Sequence, residues 1–266
     1  MVVFLYFWMK NFYMKITFLG TGTSQGIPML LSDEPVNFST DNKDKRMRSS
    51  IYIQWEQGAC LIDCGADFRV QILNNEIKRI DGVFITHEHA DHIAGLDDIR
   101  PFCYKNGPMP LYAMSRVMDS LSERYAYIFK TKNRYPGAAA VIPTIIDDLP
   151  FEFYGKKVIP IQVDHGGLPI LGYRIDDFAY LTDVKTIKTS ELQKLKGVRI
   201  IVLNALRIET HPTHLNLEEA LALVKQIQPV KAYFTHISHR LGFHEEVSKN
   251  LPKNVFLAYD GLEIEL

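Results

Sequence analysis

Three histidines and two carboxylates fall within the seven residues Thr86-His87-Glu88-His89-Ala90-Asp91-His92. The stretch follows Val83-Phe84-Ile85, so the chain leaves a strand and enters a turn where the polar side chains begin. Residues two apart in an extended segment project to the same side, which aims His87 and His89 together. Asp91 and His92 follow just before Gly95-Leu96, where a helix is expected to begin, so one turn can aim two pairs of donors at neighbouring points. Imidazole and carboxylate donors suit zinc, manganese or iron, and the lack of thiolates argues against a structural cysteine-rich site. The competing reading is a polar surface loop that carries histidines by chance. With 9 histidines in 266 residues, three within six positions after a strand favour ligation over accident.

Side chains of this kind need supports that end on a common rim. Short apolar runs at 16–19, 50–55, 60–63 and 82–86 read as strands, bounded by Gly or polar turns. The runs at 158–163, 171–175, 178–182, 200–203, 231–235, 255–258 and 262–266 read the same way. Helices are predicted over 67–77, 114–130 and 216–227, the last with Glu218 and Glu219 near its positive end. Lys185 to Lys196 reads as a solvated helix face, and Tyr125, Tyr127 and Phe129 as core or pocket wall. The polar segment 32–48 is predicted to be a surface loop. Its Arg46 and Arg48, beside Lys43 and Lys45, are better read as a solvated charge run than as phosphate contacts. The alternation gives an α/β chain with no linker, hence one domain over 14–266 preceded by an extension over 1–13.

The complete His-x-His-x-Asp-His at 87–92 resembles the signature of the metallo-β-lactamase superfamily. The resemblance extends to Phe18-Leu-Gly-Thr-Gly-Thr23, Leu61-Ile-Asp-Cys-Gly65, Val163-Asp-His165, Tyr180-Leu-Thr-Asp183 and Phe234-Thr-His-Ile-Ser-His239, most of them a strand followed by a polar residue. It implies an αβ/βα four-layer sandwich, two mixed β-sheets flanked by helices. It also implies two divalent metal ions, zinc or manganese with iron as a further option. His87, His89 and His165 would hold the first, Asp91, His92 and His236 the second, and Asp183 would bridge them. Taken alone, His165 could be a structural histidine and Asp183 the N-cap of a helix over 184–195. Asp63 is expected to orient a ligand rather than bind metal.

Within the superfamily the chain is most similar to the phosphodiesterase branch, which includes tRNase Z and the cyclic-phosphate phosphodiesterase of carbon–phosphorus lyase pathways. Gly20-Thr-Gly-Thr-Ser-Gln-Gly-Ile-Pro28, Lys45-Arg-Met-Arg-Ser-Ser50 and Thr210-His-Pro-Thr-His-Leu-Asn-Leu-Glu-Glu-Ala220 carry that likeness. The implied activity is hydrolysis of a small, cyclic or linear phosphodiester by a metal-bound hydroxide. Two divalent ions keep net positive charge beside Asp91, Asp183 and one hydroxide, and ions ~3.5–4 Å apart suit displacement at phosphorus. Catalytic roles fall to Asp91 and to His214, which would protonate the departing alkoxide; His211 is the weaker candidate. Two departures stand out. No cysteine lies in 29–46, where the phosphonate-pathway enzyme has a structural zinc site, so that loop must be held otherwise. No long Gly/Pro-rich arm of the tRNase Z kind is present, which favours a small anionic substrate over nucleic acid. The alternatives are a thioester or lactone hydrolase and a non-catalytic metal-binding module. An oxygen-reducing di-iron enzyme is disfavoured by His89, where that branch usually has Glu.

The formal charge of −1 offers no basic footprint for nucleic acid. Three cysteines in no pairing pattern suit a reducing, cytoplasmic setting. Oligomeric state is open, a homodimer included. The apolar run from Val2 to Trp8 is too short to span a bilayer and lacks the flanks of a signal peptide, which sets aside a membrane partner. Met14 is a plausible alternative start. Deleting residues 1–13 is therefore expected to leave soluble, active protein; an insoluble or inactive truncation would refute the dispensable-extension reading.

Overall fold

The computed structural model describes residues 14–266, so the extension over 1–13 lies outside the described residues. The strands are β1 (Lys15–Gly20), β2 (Ser50–Gln54), β3 (Ala59–Ile62), β4 (Gly82–Phe84), β5 (Met109–Ala113), β6 (Val141–Ile145), β7 (Phe151–Phe153), β8 (Lys156–Asp164), β9 (Pro169–Ile175), β10 (Phe178–Leu181), β11 (Ile200–Asn204), β12 (Lys231–Thr235), β13 (Val255–Leu257) and β14 (Glu263–Glu265). The helices are α1 (Phe68–Asn74), α2 (Ala90–Ile93), α3 (Arg100–Asn106), α4 (Ser115–Arg124), α5 (Ala126–Phe129), α6 (Thr189–Lys194), α7 (Leu217–Ile227) and α8 (His244–Ser248). They build two seven-stranded mixed sheets, ordered β14-β1-β2-β3-β4-β5-β6 and β13-β12-β11-β10-β9-β8-β7.

Period-two alternation explains the layers. Ile51 and Ile53 of β2 and Cys60 and Ile62 of β3 face the second sheet, where they meet Tyr173, Phe178, Tyr180 and Val202 in one core. Their neighbours Tyr52, Ala59 and Leu61 face outward and pack with Phe68, Val117 and Leu121 of the helices. The second sheet mirrors this: Ala179, Leu181, Ile201 and Leu203 pack with Leu195, Leu223 and Val224 on its outer face. Helix, sheet, sheet, helix is the four-layer arrangement expected.

Several local expectations are corrected. The helix expected over 114–130 breaks into α4 and α5 at Tyr125, whose φ of −119° and ψ of 38° leave the helical region. The helix expected over 184–195 forms only from Thr189, because Lys185 N and Thr186 N donate to Asp164 O and keep that segment extended. Asp183 is therefore no N-cap. Strands β5, β6 and β7 were not expected; Pro110 and Pro143 interrupt the pattern of the first two. Helix α7 forms as read, capped by Asn216 and Glu219 in reciprocal hydrogen bonds.

The largest correction concerns the polar segment before β2. Lys43 and Lys45 are exposed, but Arg46 between them and Arg48 is only 4% exposed and so is no part of a solvated charge run; its neighbour Asp44 is buried as well. Arg46 Nη1 donates to Thr21 Oγ1 at 2.7 Å and to Ala258 O at 2.6 Å, and Nη2 lies 3.2 Å from His244 Nδ1. Asp44 accepts from His244 N at 2.7 Å and from Ser39 Oγ at 2.6 Å. Asp260 accepts from Thr21 Oγ1 at 2.7 Å and from Met47 N at 2.6 Å. Burial lowers the Arg46 pKa to about 10 against the opposing pull of Asp260 and Asp44, and burial raises that of Asp260 to about 6. This network ties the cysteine-free loop and the Gly-rich turn to the C-terminal strands. Arg48 is half-buried and pairs with Asp67 at 3.1 Å. Removing one member of a buried charge network leaves the others uncompensated, so Arg46→Ala is expected to lower unfolding free energy by about 3 kcal/mol. Urea denaturation measures it, and an unshifted midpoint would contradict the reading.

Candidate metal centre

The signature turn leaves β4 through Ile85, and the second sheet holds it there. Tyr173 of β9, fully buried, donates its hydroxyl to Ile85 O at 2.7 Å, and Leu171 N donates to Thr86 O at 3.2 Å. Asp63, immediately after β3, adopts left-handed backbone with φ of 65°. Its carboxylate accepts from Thr86 N at 2.8 Å and from Thr86 Oγ1 at 2.9 Å, and lies 2.7 Å from His92 Nδ1. Thr86 Oγ1 is in turn 2.9 Å from His87 Nδ1. With its own proton on Asp63, that hydroxyl can only accept, so His87 carries its proton on Nδ1. One buried carboxylate thereby sets His92 directly and His87 through Thr86, and turns the Nε2 atoms of both toward the cluster. Close backbone approach completes the turn: a Cβ on Gly65 would sit 2.1 Å from Asp91 O, and one on Gly95 2.1 Å from Gly65 O.

The other donors come from the second sheet. His165 follows β8, and its Nδ1 lies 2.8 Å from Thr213 O, which fixes that proton and leaves Nε2 as the lone-pair atom. Asp183 lies two residues past β10 with φ of 58°, and His236 directly follows β12 with φ of 53°. Left-handed backbone at non-glycine residues costs about 1 kcal/mol or more each and concentrates at functional sites. The Asp183 turn is held by Asn204, which accepts from Val184 N at 2.7 Å and donates to Val184 O at 3.1 Å. Asp183 is the hub. Its Oδ1 is 2.7 Å from His214 Nε2 and 3.0 Å from His236 Nε2, while Oδ2 is 3.2 Å from His92 Nε2.

Donor atoms of His87, His89 and His165 lie within 4.8 Å of one another, as do those of Asp91, His92 and His236. Two further sets, His87–His92–Asp183 and His165–Asp183–His214, connect them. Electrostatics favour the coordinating states. Burial, then repulsion from His92, pushes His87 well below the usual imidazole range. Burial pulls His165 down, and His236 to about 4 despite Asp183. Burial alone would raise the Asp183 pKa, but His236 and His92 outweigh it and hold the carboxyl ionised. His92 behaves oppositely: burial lowers its pKa, yet Asp91, Asp63 and Asp183 together raise it well above normal.

Two observations test whether a divalent cation suits these residues. His87 Nε2 and His89 Nδ1 face each other at 2.9 Å, a separation two lone pairs cannot hold without a shared cation or proton. His92 Nε2 is buried, makes no aligned hydrogen bond among the described residues, and stands 3.2 Å from oxygens of both Asp91 and Asp183. Its other nitrogen already serves Asp63, so the outward one points a donor where two carboxylates also point. The residues fit a metal.

All seven residues expected as ligands come together, and His214 lies against Asp183 as the eighth. His211 is adjacent, its Nδ1 3.1 Å from that of His214. Asp63, expected to orient a ligand or the loop, contacts both His92 and Thr86 of the signature turn. Sequence reasoning missed Thr86 and Thr23, the latter with Oγ1 3.1 Å from His236 Nε2. Both stand inside motifs already singled out, so a search for hydroxyls beside the histidines could have found them.

A family model described as the β-lactamase superfamily domain matches residues 59–237. A solved structure, described as a new diphosphatase from the PhnP family, superimposes with a TM-score of 0.89 at 39% identity, covering 96% of this chain and 97% of that one. A curated octanoyltransferase from Porphyromonas gingivalis is 40% identical over 253 residues, covering 94% of this chain and 51% of the relative. Ribonuclease Z of Bacillus licheniformis is 32% identical over 169 residues, covering 62% of this chain and 49% of the relative. The chain thus spans about half the length of these curated relatives. The signature turn, the paired sheets and the family match over most of its length agree: this chain belongs to the β-lactamase superfamily.

Proposed function

We propose that the chain is a metal-dependent hydrolase, and within that class a phosphodiesterase acting on a small anionic ester. The observation that carries the reading is the convergence of His92, His214 and His236 on the single carboxylate of Asp183, which lies between the His87–His89–His165 set and the Asp91–His92–His236 set. His87, His89 and His165 would hold one divalent ion, Asp91, His92 and His236 another, with Asp183 shared; zinc or manganese suits these donors, and iron is compatible. Such ions, when bound, activate water and neutralise charge developing on a phosphoryl group. The protein's own part is positional. Asp63 and Thr86 fix the imidazole tautomers, and Asp91, kept ionised beside His92 even against burial, can accept a hydrogen bond from attacking water and orient it. His214 Nε2 holds a proton against Asp183 Oδ1, where it can pass to a leaving oxygen.

The named activities of the relatives guide the choice of substrate. Ribonuclease Z is a nuclease, and the full-length structural neighbour is called a diphosphatase. Both names describe cleavage of a P–O bond, so P–O–P linkages belong beside phosphodiesters among the candidates. The octanoyltransferase name keeps acyl chemistry as the second reading. Buried free Cys60, Cys64 and Cys103 support a cytoplasmic setting. Among the described residues no helix is long and apolar enough to cross a membrane. The core shared by both sheets supports treating 14–266 as one domain.

With manganese or zinc loaded, the protein is expected to hydrolyse bis(p-nitrophenyl) phosphate and small diphosphate esters faster than acyl thioesters. Thioester turnover alone would favour the second reading, and no turnover of any ester at full metal loading would favour a binding module. His214→Ala is expected to keep its metals while losing about 100-fold or more in rate, the usual range for a positioned acid. An unchanged rate would remove His214 from the reaction.

A further inference from the structure

The turn carrying His87 and His89 is gripped from outside by helix α4, through contacts that no motif announces. Arg116, in the first turn of α4, forms an ion pair through Nη1 with Glu88 Oε1, between the two histidines. Its Nη2 donates to Pro169 O at 2.7 Å, at the start of β9. Arg124 Nη1 donates to Glu88 O at 2.8 Å, and Tyr125 donates its hydroxyl to Ile93 O at 3.1 Å. The hairpin that Arg116 reaches is the one that presents His165, whose backbone N donates to Leu168 O at 2.8 Å. Glu88 is well covered, its side chain 17% exposed, and its second oxygen has no hydrogen-bond partner among the described residues.

We infer that Arg116 is a positioning residue for the His87–His89–His165 donor set, joining the two chain segments that supply it. Those segments leave different sheets; the bonds from Leu171 N to Thr86 O and from Tyr173 to Ile85 O join them at the base of the turn, and Arg116 joins them further out, beside His87 and His89. A guanidinium is planar and presents two nitrogens in fixed directions, so one side chain can hold a carboxylate on the signature turn and a carbonyl on the opposing hairpin at once. A lysine, with one ammonium on a flexible stem, could satisfy either partner but would not set the distance between them. The second donor set, Asp91, His92 and His236, is held by Asp63 at His92 and by the end of β12 at His236, and among the described residues the polar contacts of Arg116 go to Glu88 and Pro169 instead. Its loss should therefore act on one metal and spare the other.

The assignment rests on the metal-centre reading above, and the test separates the two. Zinc affinity would be measured by competition with a chromophoric chelator on the full chain, for wild type, Arg116→Ala, Arg116→Lys and the exposed-surface control Arg69→Ala. Melting temperatures without metal would be taken in parallel. Wild type and Arg69→Ala are expected to bind two equivalents. Arg116→Ala should bind one equivalent normally and the other about 10–100-fold more weakly, the usual loss when a ligand's outer support is removed, with Arg116→Lys intermediate. Two equivalents bound by Arg116→Ala with wild-type affinity, or equal weakening of both, would overturn the assignment. Failure of wild type to bind zinc would overturn the metal centre itself and this inference with it. Should Arg116→Ala not fold, Glu88→Gln carries the same test, with a weaker but still one-sided loss expected and an unchanged or two-sided effect contradicting it.

Discussion

Six imidazoles and two carboxylates share one rim of this protein, and most of them are buried. Ionised or polar groups withdrawn from water cost free energy unless they find partners, and like groups facing each other raise that cost. The arrangement relieves only part of it internally. Asp63, Thr86 and the Thr213 carbonyl take the protons on one nitrogen of three histidines, yet the remaining nitrogens point at one another and at Asp91 and Asp183. What balances that inward-facing set is positive charge, and the geometry of the surrounding fold follows from having to hold it.

The sandwich answers this demand by ending its strands on one rim. Strands β3, β4, β8, β10 and β12 each deliver a site residue within a few positions of their last hydrogen bond. The apolar core between the sheets fixes their separation, and Tyr173 crosses it to bind Ile85 O just before the signature turn. Left-handed backbone at Asp63, Asp183 and His236 then turns each side chain sharply after its strand. Stability built into the core is thereby used to hold strained turns in place.

The chemistry was legible in the sequence because its signal is local. His87 to His92 stand in one turn, and His165, Asp183 and His236 each follow a readable apolar run, so residue type and strand ends together pointed to the rim. What escaped was non-local. Arg46 looked like a surface charge among lysines, and its burial depends on Thr21, His244 and Ala258, distant in the chain. The extended course of 184–188 depends on pairing with Asp164, which overrides a helix-like pattern. Arg116 gave no local sign, since its partners lie 28 and 53 residues away. Periodicity reads burial along one element; it does not read which distant backbone will satisfy a charge.

Anomalous diffraction from crystals grown with zinc or manganese, with data on both sides of the metal absorption edge, would locate the ions. Two peaks are expected, one among His87, His89 and His165, the other among Asp91, His92 and His236, with Asp183 beside both. Peaks elsewhere, or none at this rim in fully loaded protein, would contradict the metal centre.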